Sequence, residues 1–188
     1  MNALDEFRNL LYKLLYVNKT DFVQYHHIGT CSNPCMDCFN KDKRIFENNN
    51  QKPPVGLANH PHCHCFYTNV PTKRAGEISN KGILAPDVYL KTYGHLPAYY
   101  ITKEEATELG WSPGKNLSHF APGKMIGGDI YNNKKHILPE KEGRIWYECD
   151  VDYTELKRNS LRLYYSNDGL MFYSPDHLEN EFQIYYVK

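Results

Sequence analysis

The chain has 188 residues, a length that fits one medium-sized domain or a small domain with an appendage. Its formal net charge is +0 but is uneven, since residues 1–85 carry 10 Lys and Arg against 7 Asp and Glu, whereas residues 86–188 carry 12 against 15. The acidic balance of the second part argues against broad, tight binding of nucleic acid, which normally needs a positive excess, but leaves room for a small basic pocket.

The N-terminal stretch has apolar residues close to helical spacing, at Leu4, Phe7, Leu11, Leu14 and Leu15. This pattern predicts a short amphipathic helix that packs on the protein, with a membrane-surface helix as the alternative. The stretch lacks the basic region and the small-residue cleavage site of a signal peptide, and we do not interpret it as one. No stretch of the sequence is long and apolar enough to span a membrane.

Residues 31–65 hold five of the six cysteines. Cys35-x-x-Cys38 and His60-x-x-Cys63-x-Cys65 form two closely spaced pairs of the kind that bind tetrahedral zinc. We predict a structural zinc held by Cys35, Cys38, Cys63 and Cys65, with His60 as the alternative for one ligand. Four filled positions would leave no open place for a water nucleophile.

Disulfides are the competing interpretation of these cysteines, because an exported chain meets an oxidising compartment. In the zinc interpretation Cys31 and Cys149 are spare. Residues 47–61 are rich in Asn, Pro and Gly and indicate a loop, and residues 66–85 indicate a strand fragment followed by a linker. We therefore predict a Cys/His-rich, zinc-knuckle-like region with its helix and linker at 1–85 and a second domain at 86–188.

The second domain begins with helix signals and continues with strand signals. Thr102 and Glu105 form a capping box for a helix that runs to Leu109 and stops at Gly110. Asn167-Asp168-Gly169 indicates a hairpin turn. Residues rich in β-branched and aromatic side chains predict strands at Ile126–Tyr131, Ile145–Val151, Arg162–Ser166, Leu170–Ser174 and Phe182–Val187. This order predicts an α+β fold, with N-terminal helices packed on a twisted antiparallel sheet.

The second domain also holds the residue types that cleave RNA without a metal. That reaction needs a base for the 2′-hydroxyl proton, an acid for the leaving 5′-oxygen and cations for the charged phosphorane. The candidates are Glu148 in a strand-like run, His177 after a turn, and Arg158 and Arg162 four residues apart. Taken alone they could equally be exposed surface charges.

Their order and surroundings resemble the barnase family of microbial guanyl-type ribonucleases. The similar segments, in the same order, are LKTYGHLPAYYITKEEATELGW, APGKMIGGDIYNN, GRIWYECDVDYT, RNSLRLYYSNDGL and SPDHLENEF. The resemblance implies that Glu148 is the general base, that His177 is the general acid, and that Arg158 and Arg162 hold the scissile phosphate. It also implies that Lys103 supports the phosphorane and that Asp129 buttresses this cationic group.

The chain departs from the family where the base is read. The loop runs Asn132-Asn133-Lys134-Lys135, so Lys135, which can only donate, stands where a glutamate accepts from guanine. Leu178 stands where a tyrosine stacks on the base. We expect Tyr131, Asn133 and Lys134 to contact the substrate, and a weakened preference for guanine.

Residues 35–65 carry a resemblance of their own, to the end of phage head-morphogenesis proteins of the Mu F type, whose segments are also found in front of toxin domains. We therefore expect a toxin or effector that cleaves single-stranded RNA to a 2′,3′-cyclic phosphate, with no cofactor for catalysis. The alternative is a phage head-associated structural or adaptor protein with an inactive nuclease-like domain. A third interpretation, a zinc-dependent nuclease, needs an open metal site, which the sequence does not offer.

The family resemblance implies RNA as substrate and a barstar-like inhibitor as partner, although an immunity protein of another fold is equally open. We expect neither stable DNA binding nor membrane binding. We also expect the protein to be secreted or delivered outside the cell by a route that needs no signal peptide, and to act in the cytoplasm of a target cell.

Overall fold

A computed structural model describes residues 20–28, 35–153, 158–181 and 183–188. The predicted N-terminal helix and Cys31 lie outside these residues. None of the helices among them is long and apolar enough to cross a bilayer. The residues up to Pro71, together with Lys135–Glu140, form one compact unit, and Thr72–Lys134 with Lys141–Lys188 form a second.

The first unit contains a three-stranded antiparallel sheet in the order β2-β1-β3. Its elements are β1 (Phe22–His26), helix α1 (Met36–Phe39), β2 (Ile45–Glu47), a 3₁₀ turn (Gly56–Ala58) and β3 (Phe66–Asn69). The small core holds three of the cysteines beside aromatic and aliphatic side chains: Val23, Tyr25, Cys38, Cys63, Cys65 and Tyr67. The cysteines of this unit are therefore mainly interior residues.

The second unit contains a seven-stranded sheet in the order β4-β10-β9-β8-β7-β6-β5. Its helices are α2 (Pro86–Tyr93) and α3 (Lys103–Glu108), with 3₁₀ turns at Gly82–Leu84 and Leu117–His119. Its strands are β4 (Thr72–Lys73), β5 (Tyr100–Ile101), β6 (Met125–Tyr131), β7 (Trp146–Asp150), β8 (Arg162–Ser166), β9 (Met171–Ser174) and β10 (Tyr185–Val187). Neighbouring strands are antiparallel except for the two outermost pairs, which are parallel.

The α+β class predicted from the sequence is confirmed. Helix α3 begins with the capping box, in which the Glu105 amide donates to Thr102 Oγ1 and the Thr102 amide donates to the Glu105 carboxylate. The predicted turn at Asn167–Gly169 joins β8 to β9, with Gly169 at φ +92°. The last strand is shorter than predicted, since β10 begins at Tyr185.

The main core of the second unit joins α2 and its preceding segment to the central strands. Leu90 of α2 belongs to the same buried cluster as Cys149, Leu163 and Met171 of β7, β8 and β9. Alternation along these strands sends their other residues to the opposite face. Glu148 and Arg162 lie on that opposite face. One face of the sheet therefore packs on the core, whereas the other carries polar side chains.

Residues 66–85, for which the sequence predicts a strand fragment and a linker, supply two strands. β3 belongs to the three-stranded sheet, whereas β4 runs parallel to β10 at the edge of the seven-stranded sheet. The Ala75 amide donates to the Lys188 carbonyl at 2.6 Å, and the Lys188 amide donates to the Lys73 carbonyl at 2.9 Å. The segment thus satisfies backbone groups that a bare edge strand would leave open.

Two consecutive glycines in β6 set the register of the strands that carry the polar site. Pairing with β7 shifts between Gly127 and Asp129, and Gly128 has φ +99°, so Gly128 is the extra residue of a bulge. As a result Asp129 lies directly across from Glu148. Paired residues share one face of a sheet, so the bulge brings these two carboxylates together.

Gly127 is needed for close packing. A Cβ at this position would lie 2.4 Å from the Cβ of Cys149 and 2.6 Å from Cδ1 of Tyr100. We expect Gly127→Ala to force β6 and β7 apart and to lower the free energy of unfolding by about 1–3 kcal/mol, the cost of overpacking a core. Urea denaturation measures this change.

Ile130→Thr, at an exposed position of the same strand, is the control and should stay within about 0.5 kcal/mol of the parent. Equal stability of Gly127→Ala and the parent would show that the contact between β6 and β7 is not as close as described.

Candidate functional site

A carboxylate and an imidazole face each other on the polar side of the seven-stranded sheet. Glu148 projects from the middle of β7, and His177 lies in the loop that follows β9. His177 Nε2 is 3.7 Å from Glu148 Oε2. The Glu148 side chain is only 13% exposed, whereas that of His177 is 49% exposed, so the imidazole forms the open edge of the pair.

Lys103 joins this pair from the first turn of α3. Its Nζ donates to Glu148 Oε1 at 2.6 Å and lies 3.9 Å from Asp129 Oδ2. Asp129 also accepts the Lys103 backbone amide, at 3.1 and 3.3 Å to its two oxygens. Asp129 therefore holds the start of α3 and the lysine head group against β6 and β7.

The two predicted arginines share a buried carboxylate, Asp150. Arg158 forms a fork with it, with Nε donating to Oδ2 and Nη2 to Oδ1, both at 2.7 Å. Arg162 Nε lies 3.1 Å from Oδ1 of the same residue. The Asp150 side chain is 1% exposed, and such a charge is tolerated in the interior only when it is paired.

The two arginines differ in how accessible their guanidinium groups are. Arg162 is buried, and its Nη1 donates to the carbonyls of Asn159 and Leu161 at 2.7 and 2.8 Å. Arg158 is 25% exposed, and its fork uses Nε and Nη2. Arg158 is therefore the more accessible of the two cations to an anion from solution.

The loop that carries His177 is anchored at Ser174. This fully buried hydroxyl donates to Asp176 Oδ1 at 2.9 Å and accepts the Leu178 amide at 2.8 Å. His177 and Leu178 both have positive φ, +62° and +59°, an arrangement that costs energy for side chains of this size. The Leu178 side chain is buried, and it secures the loop so that the preceding imidazole points outward.

Burial is the main reason that the pKa of His177 lies below its ordinary value. The positive charges of Arg162, Arg158 and Lys103 lower it further, and the Glu148 carboxylate opposes them. The cluster contains three cationic side chains and three carboxylates, Lys103, Arg158, Arg162, Asp129, Glu148 and Asp150. The site is therefore close to electrically neutral until the imidazole takes a proton.

The three residues predicted to contact the substrate lie at the end of β6. Tyr131 is half-buried, and its ring centroid is 4.6 Å from that of Tyr164. Burial, with the charge of Glu148, raises the pKa of Tyr131 to about 12, so its hydroxyl keeps its proton. Asn133 is buried with φ +44°, and Lys134 is exposed.

A second group of reactive side chains lies in the first unit. The structure describes five cysteines, Cys35, Cys38, Cys63, Cys65 and Cys149, all as free thiols. Donor atoms of Cys35, Cys38 and His60 lie within 4.8 Å of one another, and so do those of Cys38, Cys63 and Cys65. The structure thus brings together all four predicted zinc ligands and the alternative His60, with Cys38 common to both groups.

A cleft of about 810 Å³ lies on the other face of the seven-stranded sheet. Tyr147 and Tyr165, which alternate along the strands with Glu148 and Tyr164, are part of its lining. None of the six predicted catalytic residues lines this cleft. The polar cluster, rather than this cleft, has the residues that acid–base chemistry needs.

Two residues that organise the polar cluster are absent from the sequence-based predictions. Asp150 could have been found, since it follows Glu148 by two positions and so shares its face of a strand. Ser174 carries no such signal, because a serine near a turn is common. The role predicted for Asp129 is divided in the structure, with Asp129 at Lys103 and Asp150 at the two arginines.

Removing the charge of Asp150 tests its place at the centre of the arginine pair. We expect Asp150→Asn to lower the free energy of unfolding by about 3 kcal/mol, because Arg158 and Arg162 would both lose the buried carboxylate that they share. Urea denaturation at pH 7 measures the change.

Glu142→Gln, which removes the same charge from an exposed loop residue, should change stability by no more than about 0.5 kcal/mol. Equal effects of the two substitutions would contradict a structural role for the buried ion pairs.

Comparisons with known proteins agree with this geometry. A family model of ribonucleases matches residues 85–185. A ribonuclease from Heyndrickxia coagulans is 48% identical over 90 residues, which cover 47% of this chain and 83% of that protein. Ribonucleases from Bacillus intermedius and Bacillus pumilus are also 48% identical over 90 residues, which cover 56% of each.

The matched region contains α2, α3 and the strands β5 to β9, with every residue of the polar cluster. It begins one residue before α2 and leaves Cys35, Cys38, Cys63 and Cys65 outside. Because the family match spans more than half of the chain, the chain belongs to the ribonuclease family, of the barnase type that its motifs predict.

Proposed function

We propose that this protein is an endoribonuclease that cleaves single-stranded RNA by metal-independent acid–base transesterification, leaving a 2′,3′-cyclic phosphate. The observation that carries the proposal is the pairing of Glu148 with His177 at 3.7 Å, with Lys103 on the carboxylate. A base, an acid and a cation then lie around one point on the sheet. Membership of the ribonuclease family supports RNA as the substrate.

In the first step Glu148 accepts the proton of the ribose 2′-hydroxyl, whose oxygen attacks the adjacent phosphorus. The Lys103 ammonium, 2.6 Å from Glu148 Oε1, orients the carboxylate for this step. DNA lacks the nucleophile, so it should not be cleaved. Asp129 keeps the ammonium in place, since it accepts the amide at the head of α3 and lies beside Nζ.

In the second step His177 donates its proton to the leaving 5′-oxygen as the bond from phosphorus to that oxygen breaks. The imidazole is the more exposed member of the pair, which suits a group that must reach a departing strand. The strained and anchored loop at Ser174 fixes its direction. Ordered geometry of this kind reduces the entropy lost on reaching the transition state.

The cations stabilise the phosphorane that lies between these steps. Arg158, held by its fork on Asp150 and still partly exposed, is the main candidate for binding the phosphate oxygens. Arg162 is mostly enclosed by backbone carbonyls and by Asp150, so it contributes mainly through its charge. Donors fixed in advance cost no reorganisation when negative charge develops.

We also propose that preference for guanine is reduced. Lys135 cannot accept from guanine. The side chain of Leu178 is buried as an anchor of its loop, where it offers no face on which a base could stack. Comparison of oligonucleotides with guanine or adenine before the scissile bond tests this, and strong guanine selectivity would contradict it.

A toxin or effector role is the biological setting we propose. The likeness of residues 35–65 to segments found in front of toxin domains supports it. A ribonuclease of this kind needs an inhibitor in the cell that makes it, and an acidic partner, barstar-like or of another fold, would suit Lys103, Arg158 and His177. Co-expression with genes adjacent to its own would test this pairing.

Single substitutions test the mechanism directly. We expect the full chain, assayed in EDTA, to cleave RNA, and His177→Ala and Glu148→Ala to reduce kcat/KM by about 10²–10⁴-fold, the usual contribution of an acid or base. His119→Ala, which changes a histidine in the 3₁₀ turn before β6, is the matched control and should keep near-parental activity.

Full activity after His177→Ala would eliminate the proposed acid. An absence of cleavage by the folded parent would instead favour the alternative of a structural or adaptor protein.

The lowered pKa of His177 predicts an acidic working range. The acid must carry a proton, and its pKa lies below the ordinary value of about 6.5. The falling limb of kcat/KM with rising pH should therefore have its midpoint below pH 6.5. Because Glu148 is the neighbour that raises this pKa, Glu148→Gln should lower it, as measured by NMR titration of the His177 ring.

Glu104→Gln, an exposed position of α3, should leave the His177 titration where it is. A higher His177 pKa in Glu148→Gln would contradict the described pairing of these side chains.

A further inference from the structure

The cysteines of the first unit, and His60 beside them, have no part in the proposed reaction. We call the five residues Cys35, Cys38, His60, Cys63 and Cys65 the cysteine cluster. Their donor atoms form two overlapping groups of three, each within 4.8 Å, that share Cys38. These five donors, which include the shared buried sulfur of Cys38, are one more than a tetrahedral ion can use.

Two tight turns bring the donors together in pairs. The Phe39 amide donates to the Cys35 carbonyl at 2.9 Å, which places Cys35 and Cys38 on one short helical turn. The Cys63 amide donates to the His60 carbonyl at 3.2 Å, which does the same for His60 and Cys63. Each pair has two intervening residues, a spacing typical of zinc ligands.

The His60 ring has the orientation of a ligand. Its Nδ1 is 2.8 Å from the Pro61 carbonyl, which can only accept, so Nδ1 carries the proton. In the neutral tautomer that this bond selects, Nε2 is unprotonated, and it lies 3.2 Å from Cys38 Sγ. Histidine ligands of metals typically donate their other ring N–H to a carbonyl or carboxylate in this way.

Two of the distances within the cluster are close to edges of a zinc tetrahedron. Bond lengths of about 2.3 Å to sulfur and about 2.0 Å to nitrogen place two sulfurs about 3.8 Å apart, and sulfur and nitrogen about 3.5 Å apart. The Cys38 and Cys63 sulfurs are 4.0 Å apart, and Cys38 Sγ and His60 Nε2 are 3.2 Å apart. Cys35 and His60 do not both lie within 4.8 Å of Cys63, so zinc binding would draw the two turns closer together.

Polar side chains lie beside the sulfurs of the cluster. The Asn59 amide Nδ2 donates to Cys38 Sγ at 3.1 Å and lies 3.8 Å from Cys63 Sγ. The buried hydroxyl of Tyr25 adjoins Cys38 and Cys65. A charged sulfur accepts hydrogen bonds far better than a neutral thiol, and metal binding would make the sulfurs anionic.

We propose that the cysteine cluster binds one zinc ion through Cys35, Cys38, Cys63 and His60 Nε2, with Cys65 outside the ligand set. Cys63 is preferred to Cys65 because it shares a turn with His60 and shares the Asn59 amide with Cys38. The set differs from the four cysteines that spacing alone favours. With all four positions filled, the ion is structural and ties the turn at 35–38 to the turn at 60–63.

Zinc content of the full chain tests the proposal. The protein is incubated with zinc under reducing conditions and desalted, and its metal is measured by elemental analysis. We expect about one zinc per chain in the parent and in Cys65→Ser, and loss of most of the zinc in His60→Ala. His64→Ala, an exposed neighbour, is the matched control and should retain zinc.

A second variant guards against misfolding. His60→Cys should retain zinc, and after exchange for Co²⁺ its stronger sulfur-to-metal absorption should report an added thiolate. RNA cleavage measured on the same samples reports the second unit separately, so failure of the zinc proposal and failure of the ribonuclease proposal are distinguishable.

Two results would overturn the ligand set or the site. Loss of zinc from Cys65→Ser, with or without retention by His60→Ala, would restore Cys65 as a ligand. Near-zero zinc in the parent, with no thiols free to react, would replace the metal site by disulfides.

Discussion

The site depends on a buried carboxylate that two arginines share. Asp150 is almost fully enclosed, and it is held by the fork of Arg158 and by Nε of Arg162. Without it two positive charges would lie close together in the interior of a sheet, where repulsion is poorly screened. The pairing allows the fold to keep cations beside Glu148 and His177, the proposed general base and general acid, while remaining stable. On the other side of Glu148 the Lys103 ammonium is likewise paired with a second carboxylate, that of Asp129.

Much of this arrangement could be predicted from local signals. The capping box at Thr102 and the turn at Asn167–Gly169 specify their own geometry, and the structure contains both. The order of the motifs predicts the six candidate catalytic residues, of which Lys103 is the first in the chain and His177 the last. The sheet brings them to one face. Asp150 and Ser174 were missed because their importance depends on neighbours that are distant in sequence. Only strand pairing shows that one carboxylate serves both arginines.

The first unit was harder to predict for a related physical reason. Short spacing shows that cysteines can meet, but the tautomer of His60 depends on a carbonyl that only the folded loop places beside it. The sequence predicts a linker where β4 lies, because a strand of two residues shows no periodicity. The strand is held in place by backbone hydrogen bonds to the last strand. In each case the missing information is a partner elsewhere in the chain.

In the proposed mechanism Glu148 and His177 use the 2′-hydroxyl of RNA itself as the nucleophile. The most direct measurement is digestion, in EDTA, of a DNA oligonucleotide that contains one ribonucleotide, with the products identified by mass spectrometry. We expect one cut, directly 3′ to the ribonucleotide, with a 2′,3′-cyclic phosphate on one fragment and a 5′-hydroxyl on the other. Cleavage of the all-deoxy oligonucleotide, or fragments that carry a 5′-phosphate, would contradict it.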